Sequence, residues 1–189
     1  MQAAVTRRRE ELDELTLRRA QRGDERAWRD LIARYQAPVH ALVWRLLASR
    51  APHRAEDVTQ ETFVRVLRAL PRFEPAGPAT LTTWILTIAT RLALSELRKP
   101  LPASLEREPL TEERADHASE RARLGAAIAR AVAKLPEGQR AVLVLREYHE
   151  LEYAEIADAL EIDVGTVKSR LSRAKDALRE HLTAMGVRL

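Results

Sequence analysis

Apolar residues recur along this chain with the helical period, and the clearest stretch is Glu152–Leu182, where two periodic segments flank a turn too short to be a linker. In the second segment Val167, Leu171, Ala174 and Leu178 fall at i, i+4, i+7 and i+11, one face of a 3.6-residue repeat that must be buried. The first segment has its own stripe in Ile156, Ala157 and Leu160, preceded by Tyr153. Asp163 stands where an N-cap belongs, with a carboxylate able to accept a backbone N–H two or three residues on. Opposite the buried stripe lie Gly165, Thr166, Ser169, Ser172 and Arg173, flanked by Lys168, Arg170 and Lys175. Such a face suits a DNA major groove, because small residues admit the helix to base edges while the cations meet phosphates. The plainer reading is the solvated face of a helical hairpin, and the pattern elsewhere has to decide between them.

From the N-terminus, Leu12–Leu47 holds two helical patterns broken at Gly23-Asp24, with Asp24 a second N-cap and Trp28, Leu31, Ile32 and Tyr35 at i, i+3, i+4 and i+7. Pro38 fits either the first turn of a continuation or a kink. Beyond it Val39, Leu42, Val43, Leu46 and Leu47 extend the stripe, and the helix is expected to end near Ala51-Pro52. Ala55–Leu70 follows, with Phe63, Val66, Leu67 and Leu70 apolar and Glu56, Asp57, Gln60 and Glu61 gathered at the N-terminal end. Acids there are favoured by the helix dipole, although the same cluster could dock on another protein. Pro71–Thr80 reads as a loop. Thr80–Lys99 resumes the helical period, with Leu81, Ile85, Ile88 and Leu92 inward, Trp84 at the edge, and Thr83, Thr87, Thr90, Arg91 and Arg98 on the other side. Pro100, Pro102 and Pro109 then punctuate a stretch whose residues 104–120 hold six acidic against two basic residues, the composition of a mobile acidic linker. An Ala-rich helix from about Arg121 to Leu135, a break at Pro136-Glu137-Gly138 and an apolar helix over Gln139–Tyr148 lead into the helix-turn-helix.

Composition agrees with an all-α fold: glycine is scarce (6 residues) and aromatics make up 4%, while strong helix formers dominate. The net charge of +4 is compatible with a polyanionic partner without requiring one. Only four of the 32 basic residues are lysine, an arginine excess that coding bias explains as well as function does. Absence of cysteine excludes disulfides, thiolate zinc sites and cysteine catalysis. The five histidines form no H-E-x-x-H, and the scattered glycines form no phosphate-binding loop, so no enzymatic chemistry and no cofactor is expected. Acidic residues stand after Arg7-Arg8-Arg9 where a signal peptide needs an apolar run, and no stretch reaches the length of a membrane span; a cytoplasmic protein without membrane insertion is expected.

Three sets of residues stand out: Arg22-Gly23-Asp24 with Ala27-Trp28 and Tyr35; Ala55-Glu56-Asp57-Val58-Thr59-Gln60-Glu61-Thr62-Phe63; and Leu135-Pro136, Ile156-Ala157, Gly165 to Arg170 and Arg173-Ala174. In order and spacing they resemble bacterial RNA polymerase sigma factors of the extracytoplasmic-function group. The resemblance spans about Leu15 to Leu182 and implies two small helical domains: a region 2-like domain over 10–99, a flexible linker over 100–120 and a region 4-like domain over 121–184. It implies a protein that binds the largest and second-largest subunits of core RNA polymerase, brings the enzyme to promoter DNA and assists melting. Asp57, Gln60 and Glu61 would meet the polymerase. Arg72, Phe73, Thr83, Trp84, Thr87, Arg91 and Arg98 would face the −10 element, where the loop after Arg72 captures an unstacked base. Thr166, Lys168, Ser169, Ser172 and Arg173 would read the −35 element. An anti-sigma factor is expected as a further partner. If the two elements lie two helical turns apart, they are separated by ~70 Å, a span that about 20 extended residues can reach.

Two positions depart from the family pattern. Arg91 stands at a usual Asn position, and Glu161 occupies the turn that often holds Gly, so the left-handed conformation there should be absent or strained. A freestanding dimeric helix-turn-helix regulator is the competing reading; it accounts for the C-terminal third and leaves the N-terminal half without a role.

Overall fold

The computed structural model describes residues 11–100 and 120–187, and within them every regular element is helical. The first unit comprises α1 (Glu14–Gln21), α2 (Glu25–Leu47), α3 (Ala55–Ala69) and α4 (Leu81–Arg98). The second comprises α5 (Glu120–Ala133), α6 (Glu137–Glu147), α7 (Tyr153–Leu160) and α8 (Val164–Ala184). The stretch expected to be an acidic linker lies, apart from its two end residues, outside the described residues.

The first of the three family-like motifs, Arg22 to Trp28, is a corner. Gly23 takes a left-handed φ of 87°, which only glycine adopts without a Cβ penalty, and so turns α1 into α2. Asp24 then caps α2 by accepting from the Ala27 amide at 3.0 Å. The Trp28 indole donates back to the Ala20 carbonyl at 2.7 Å, which also accepts from the Gly23 amide at 3.0 Å, so the side chain ties α2 to the end of α1. Trp28→Phe should therefore cost about 0.5–1.5 kcal/mol in urea unfolding with an unchanged m-value; an unchanged midpoint would show that the bond contributes nothing.

α2 is the spine of this unit: it packs on α1, α3 and α4, and Leu31, Val39, Leu42, Val43, Leu46 and Leu47 are fully buried along it. Burying each such side chain is worth about 1.5–3 kcal/mol. The helix runs through Pro38 and stops at Leu47, short of the expected Ala51-Pro52. Arg50 fastens the segment after it to the end of α4, donating to the Leu97 carbonyl at 2.6 Å.

Two further boundaries differ from expectation. α5 ends at Ala133 rather than Leu135, and α6 begins at Glu137 because Pro136 serves as its N-cap instead of a break within the loop. Arg140, inside what reads as an apolar helix, is only 1% exposed; it donates to the Ala133 carbonyl at 3.0 Å and so closes the end of α5. Burial pushes its guanidinium pKa down, though Arg stays protonated.

The threonine face of α4 needs a correction. Thr90 is fully buried and Thr83 nearly so, not solvent-facing as the helical period suggests. Thr90 is satisfied by donating its hydroxyl to the Leu86 carbonyl at 2.8 Å, a local bond that removes the penalty of burying a polar group.

Candidate nucleic-acid and polymerase interfaces

The recognition face of α8 is built by its cap and its buried stripe. The Asp163 carboxylate accepts from the Thr166 amide at 2.7 Å and from its hydroxyl at 2.6 Å. These bonds, led by the side-chain one, hold the Asp163 carboxyl below the ordinary carboxylate range. Val167, Leu171 and Ala174 are buried against α6 and α7, which leaves Lys168, Ser172 and Arg173 exposed and Ser169 half-buried on the outer side. Thr166 sits at the head of this face with its hydroxyl occupied by the cap. Lys175 is drawn away from the face by an ion pair with Glu147 at 2.8 Å, and the Arg170 guanidinium lies against Gly138, where a Cβ would approach it to 3.0 Å.

Because the folded-state pKa of Asp163 is depressed, its stabilising effect is complete above the ordinary value of about 3.9 and is lost as pH falls through the lower folded value. Asp163→Ala should lower Tm by roughly 2–4 °C at neutral pH, with the difference vanishing in acid. A gap between variant and parent that persists below the folded value would contradict the cap as its source.

The left-handed position expected to be absent or strained in the turn between α7 and α8 is present and held by a non-glycine residue, the second of those alternatives: Glu161 itself adopts φ 56° and ψ 47°. The Ile162 amide still closes onto the Ala157 carbonyl at 3.0 Å, so the turn keeps its shape with a side chain where glycine is easier. A second residue, Glu150, takes the same φ between α6 and α7, which nothing in the sequence pattern signals.

On α3 the motif divides between core and surface. Val58, Thr59, Thr62, Phe63 and Val66 turn inward, and both threonine hydroxyls bond back to the helix carbonyls of Ala55 and Val58 at 2.7 Å. Asp57, Gln60 and Glu61 turn outward, with Asp57 paired to Arg54 and Glu61 to Arg65. Val64 shares this outer face and is 41% exposed, an apolar residue among acids that the periodicity of the core stripe passes over.

The residues expected to face the −10 element are divided. Gln21 anchors the entry to the loop after α3 by donating to the Leu70 and Phe73 carbonyls, and Arg72 projects from it into solvent. Phe73 is buried and packs on the half-buried Trp84, ring centroids 5.0 Å apart, so the aromatic pair is largely structural. Arg98 is exposed at the far end of α4. Thr83 and Arg91 instead meet the second unit. The Thr83 hydroxyl bonds the Glu155 carboxylate at 2.7 Å, and Arg91 donates to the carbonyls of Asp158 at 2.9 Å and Ala159 at 3.4 Å. Thr87 lies half-buried between them, its hydroxyl donating to the Thr83 carbonyl at 2.9 Å. Nearby, the Arg45 guanidinium stacks over the Tyr148 ring at 4.3 Å.

The two helical units correspond, in chain order, to two regions of the sigma-70 class of transcription initiation proteins. Residues 31–100 match Sigma-70 region 2, and residues 125–178 match Sigma-70 region 4. The RNA polymerase sigma-H factor of Pseudomonas aeruginosa is 34% identical over 187 residues, covering 92% of this chain and 95% of that protein. The ECF RNA polymerase sigma factor SigW of Bacillus subtilis is 31% identical, covering 88% and 94%. ECF sigma factor SigE of Mycolicibacterium smegmatis is 34% identical over 85% of this chain, which spans 64% of that protein. Among solved structures, CnrH in complex with the cytosolic domain of CnrY matches with a TM-score of 0.65 at 26% identity, covering 91% of this chain and 97% of that one. The chain belongs to the ECF family of RNA polymerase sigma factors. Its function is that of the class: joining RNA polymerase and directing it to specific promoters for initiation.

Proposed function

We propose that this sigma factor divides its work between residues 10–99, which hold core polymerase and the −10 element, and residues 121–184, which read the −35 element. The observation that carries this reading is the exposed, cation-edged face of α8 at Lys168, Ser172 and Arg173, held in register by the Asp163 cap and a buried stripe. Thr166 and Ser169 complete that reading face. Phosphate contacts fix the helix in the groove, and the small central residues let base edges be reached.

The outer face of α3 is the polymerase surface, with Asp57, Gln60 and Glu61 forming a polar rim around the exposed Val64, the arrangement of an apolar anchor within charged surroundings. Both large polymerase subunits are the partners. Arg72 and Arg98 supply phosphate contacts to the −10 element, beside the loop after Phe73 that receives an extruded base; Thr83, Trp84, Thr87 and Arg91 complete this surface. Extrusion costs a few kcal/mol, which these contacts offset.

The protein acts in the cytoplasm without catalysis of its own, and no helix among the described residues is long and apolar enough to cross a membrane. An anti-sigma factor holds it in check; the matched structure of CnrH with the cytosolic domain of CnrY supports a protein partner. Transcription reconstituted from core polymerase, this protein and a genomic promoter library tests the reading. Discrete start sites sharing two elements at fixed spacing are expected. Tight, sequence-specific DNA binding by the protein alone, with no transcription on adding polymerase, would favour the freestanding regulator instead.

A further inference from the structure

The two positions at which this chain departs from the family pattern, Arg91 and Glu161, are partners. Their side chains form an ion pair at 3.3 Å across the two units. Arg91 does more than pair with a carboxylate. It donates to the carbonyls of Asp158 and Ala159 in the last turn of α7, acceptors that an isolated helix leaves without an intrahelical donor and that carry the negative end of its dipole. The left-handed bend at Glu161 ends α7 and brings the Glu161 carboxylate to the same guanidinium. One turn of α7 earlier, Glu155 takes the Thr83 hydroxyl at 2.7 Å while its other oxygen accepts from the Glu152 amide as part of a capping box. Both ends of α7 are thus gripped by polar groups of α4.

We propose that this contact is an autoinhibitory latch. It rests on the promoter-reading roles given above. While α7 lies on α4, Thr83 and Arg91 are engaged by the second unit and DNA cannot use them. Promoter elements two helical turns apart are separated by ~70 Å, so simultaneous reading requires units that are not in contact. The latch is built to open. Arg91 and Glu161 are 52% and 74% exposed, and ion pairs of that kind are weak and screened by salt. Elsewhere between the two units the packing is incompletely filled: a cleft of about 300 Å³, lined chiefly by Trp44, Ala48, Ile128, Val132 and Tyr148, lies between α2 and the second unit. A closed state of modest stability lowers apparent polymerase affinity by the fraction of open molecules, and opening restores it.

Because the chain has no cysteine, spin labels can be placed uniquely through Arg68→Cys and Glu180→Cys, exposed positions on α3 and α8. In the otherwise unaltered full-length chain, without polymerase or DNA, a single narrow distance population is expected at low salt. Glu161→Lys should lower the closed-to-open ratio by roughly fivefold, and Arg91→Asn, which also removes the bonds to the end of α7, by more than tenfold, while Arg91→Lys keeps part of the closure. Core polymerase should bind the unlabelled Glu161→Lys chain more tightly than the parent, by no more than the factor of opening. Distance distributions unchanged by both Glu161→Lys and Arg91→Asn would overturn the latch, whatever the fate of the promoter-reading assignments. Opened units with unaltered polymerase affinity would overturn its inhibitory role. Helical circular dichroism of each variant confirms that the units themselves remain folded.

Discussion

Asp57→Arg is expected to abolish co-purification with core RNA polymerase while leaving the protein folded. Asp57 lies in the first turn of α3, more than half exposed and, among the described residues, ion-paired only with the neighbouring Arg54. Reversing its charge places a cation at the positive end of the helix beside another cation, a cost of about 0.3–1 kcal/mol to the fold. At an interface the same change leaves unmatched charge where complementarity is required, which costs about 2–5 kcal/mol or more. The imbalance between the two figures makes the loss of binding interpretable. Val64→Glu, on the same outer face and with no buried contact to lose of the kind made by Val66, should have a comparable effect on binding with little change in Tm. Retention of polymerase by both variants would remove the outer face of α3 from the interface.

The second large effect is expected at Arg173. It projects from the middle of the reading face, one turn beyond Ser169, and among the described residues no carboxylate pairs with it, whereas Lys175 is tied to Glu147. Arg173→Ala should reduce use of the upstream promoter element by about 5- to 150-fold, the range for losing a base contact of 1–3 kcal/mol, and relax preference at one position of that element. Lys168→Ala, at the edge of the face, should instead weaken binding to all promoters alike and reduce the salt slope by about one. Sequence preferences from the promoter library at two salt concentrations separate the two effects. Undiminished transcription by the Arg173 variant would exclude it from the DNA contact.

Helices and caps were legible from the chain because they are local. Asp24 and Asp163 cap the helices expected of them, since a carboxylate three residues before an amide in a helical start has that bond within reach. The acidic end of α3 also stays at the surface, as its position opposite the Phe63 stripe requires. The wheel misplaced Thr83 and Thr90 because it assumes one buried face per helix, while α4 is covered by α2 and α3 within its own unit and by α7 from the other. Arg140 escaped for a related reason: a buried guanidinium is tolerated once a helix-end carbonyl receives it, and that carbonyl belongs to a different helix.

By itself the sequence determined the all-α class, the two sigma-70 regions, the capped recognition helix and the split of the α3 motif into core and surface. The sigma-70 regions rest on motifs that resemble the family, and the other three follow from periodicity or from bonds spanning three or four residues. Only the tertiary structure decided what Arg91 and Glu161 do. In the chain they read as two unrelated departures, and the Arg91 bond to the Asp158 carbonyl spans 67 residues, so no local pattern constrains it. The pairing exists because α7 ends where α4 passes, and a guanidinium long enough to reach the last carbonyls meets them only once both units are folded and in contact.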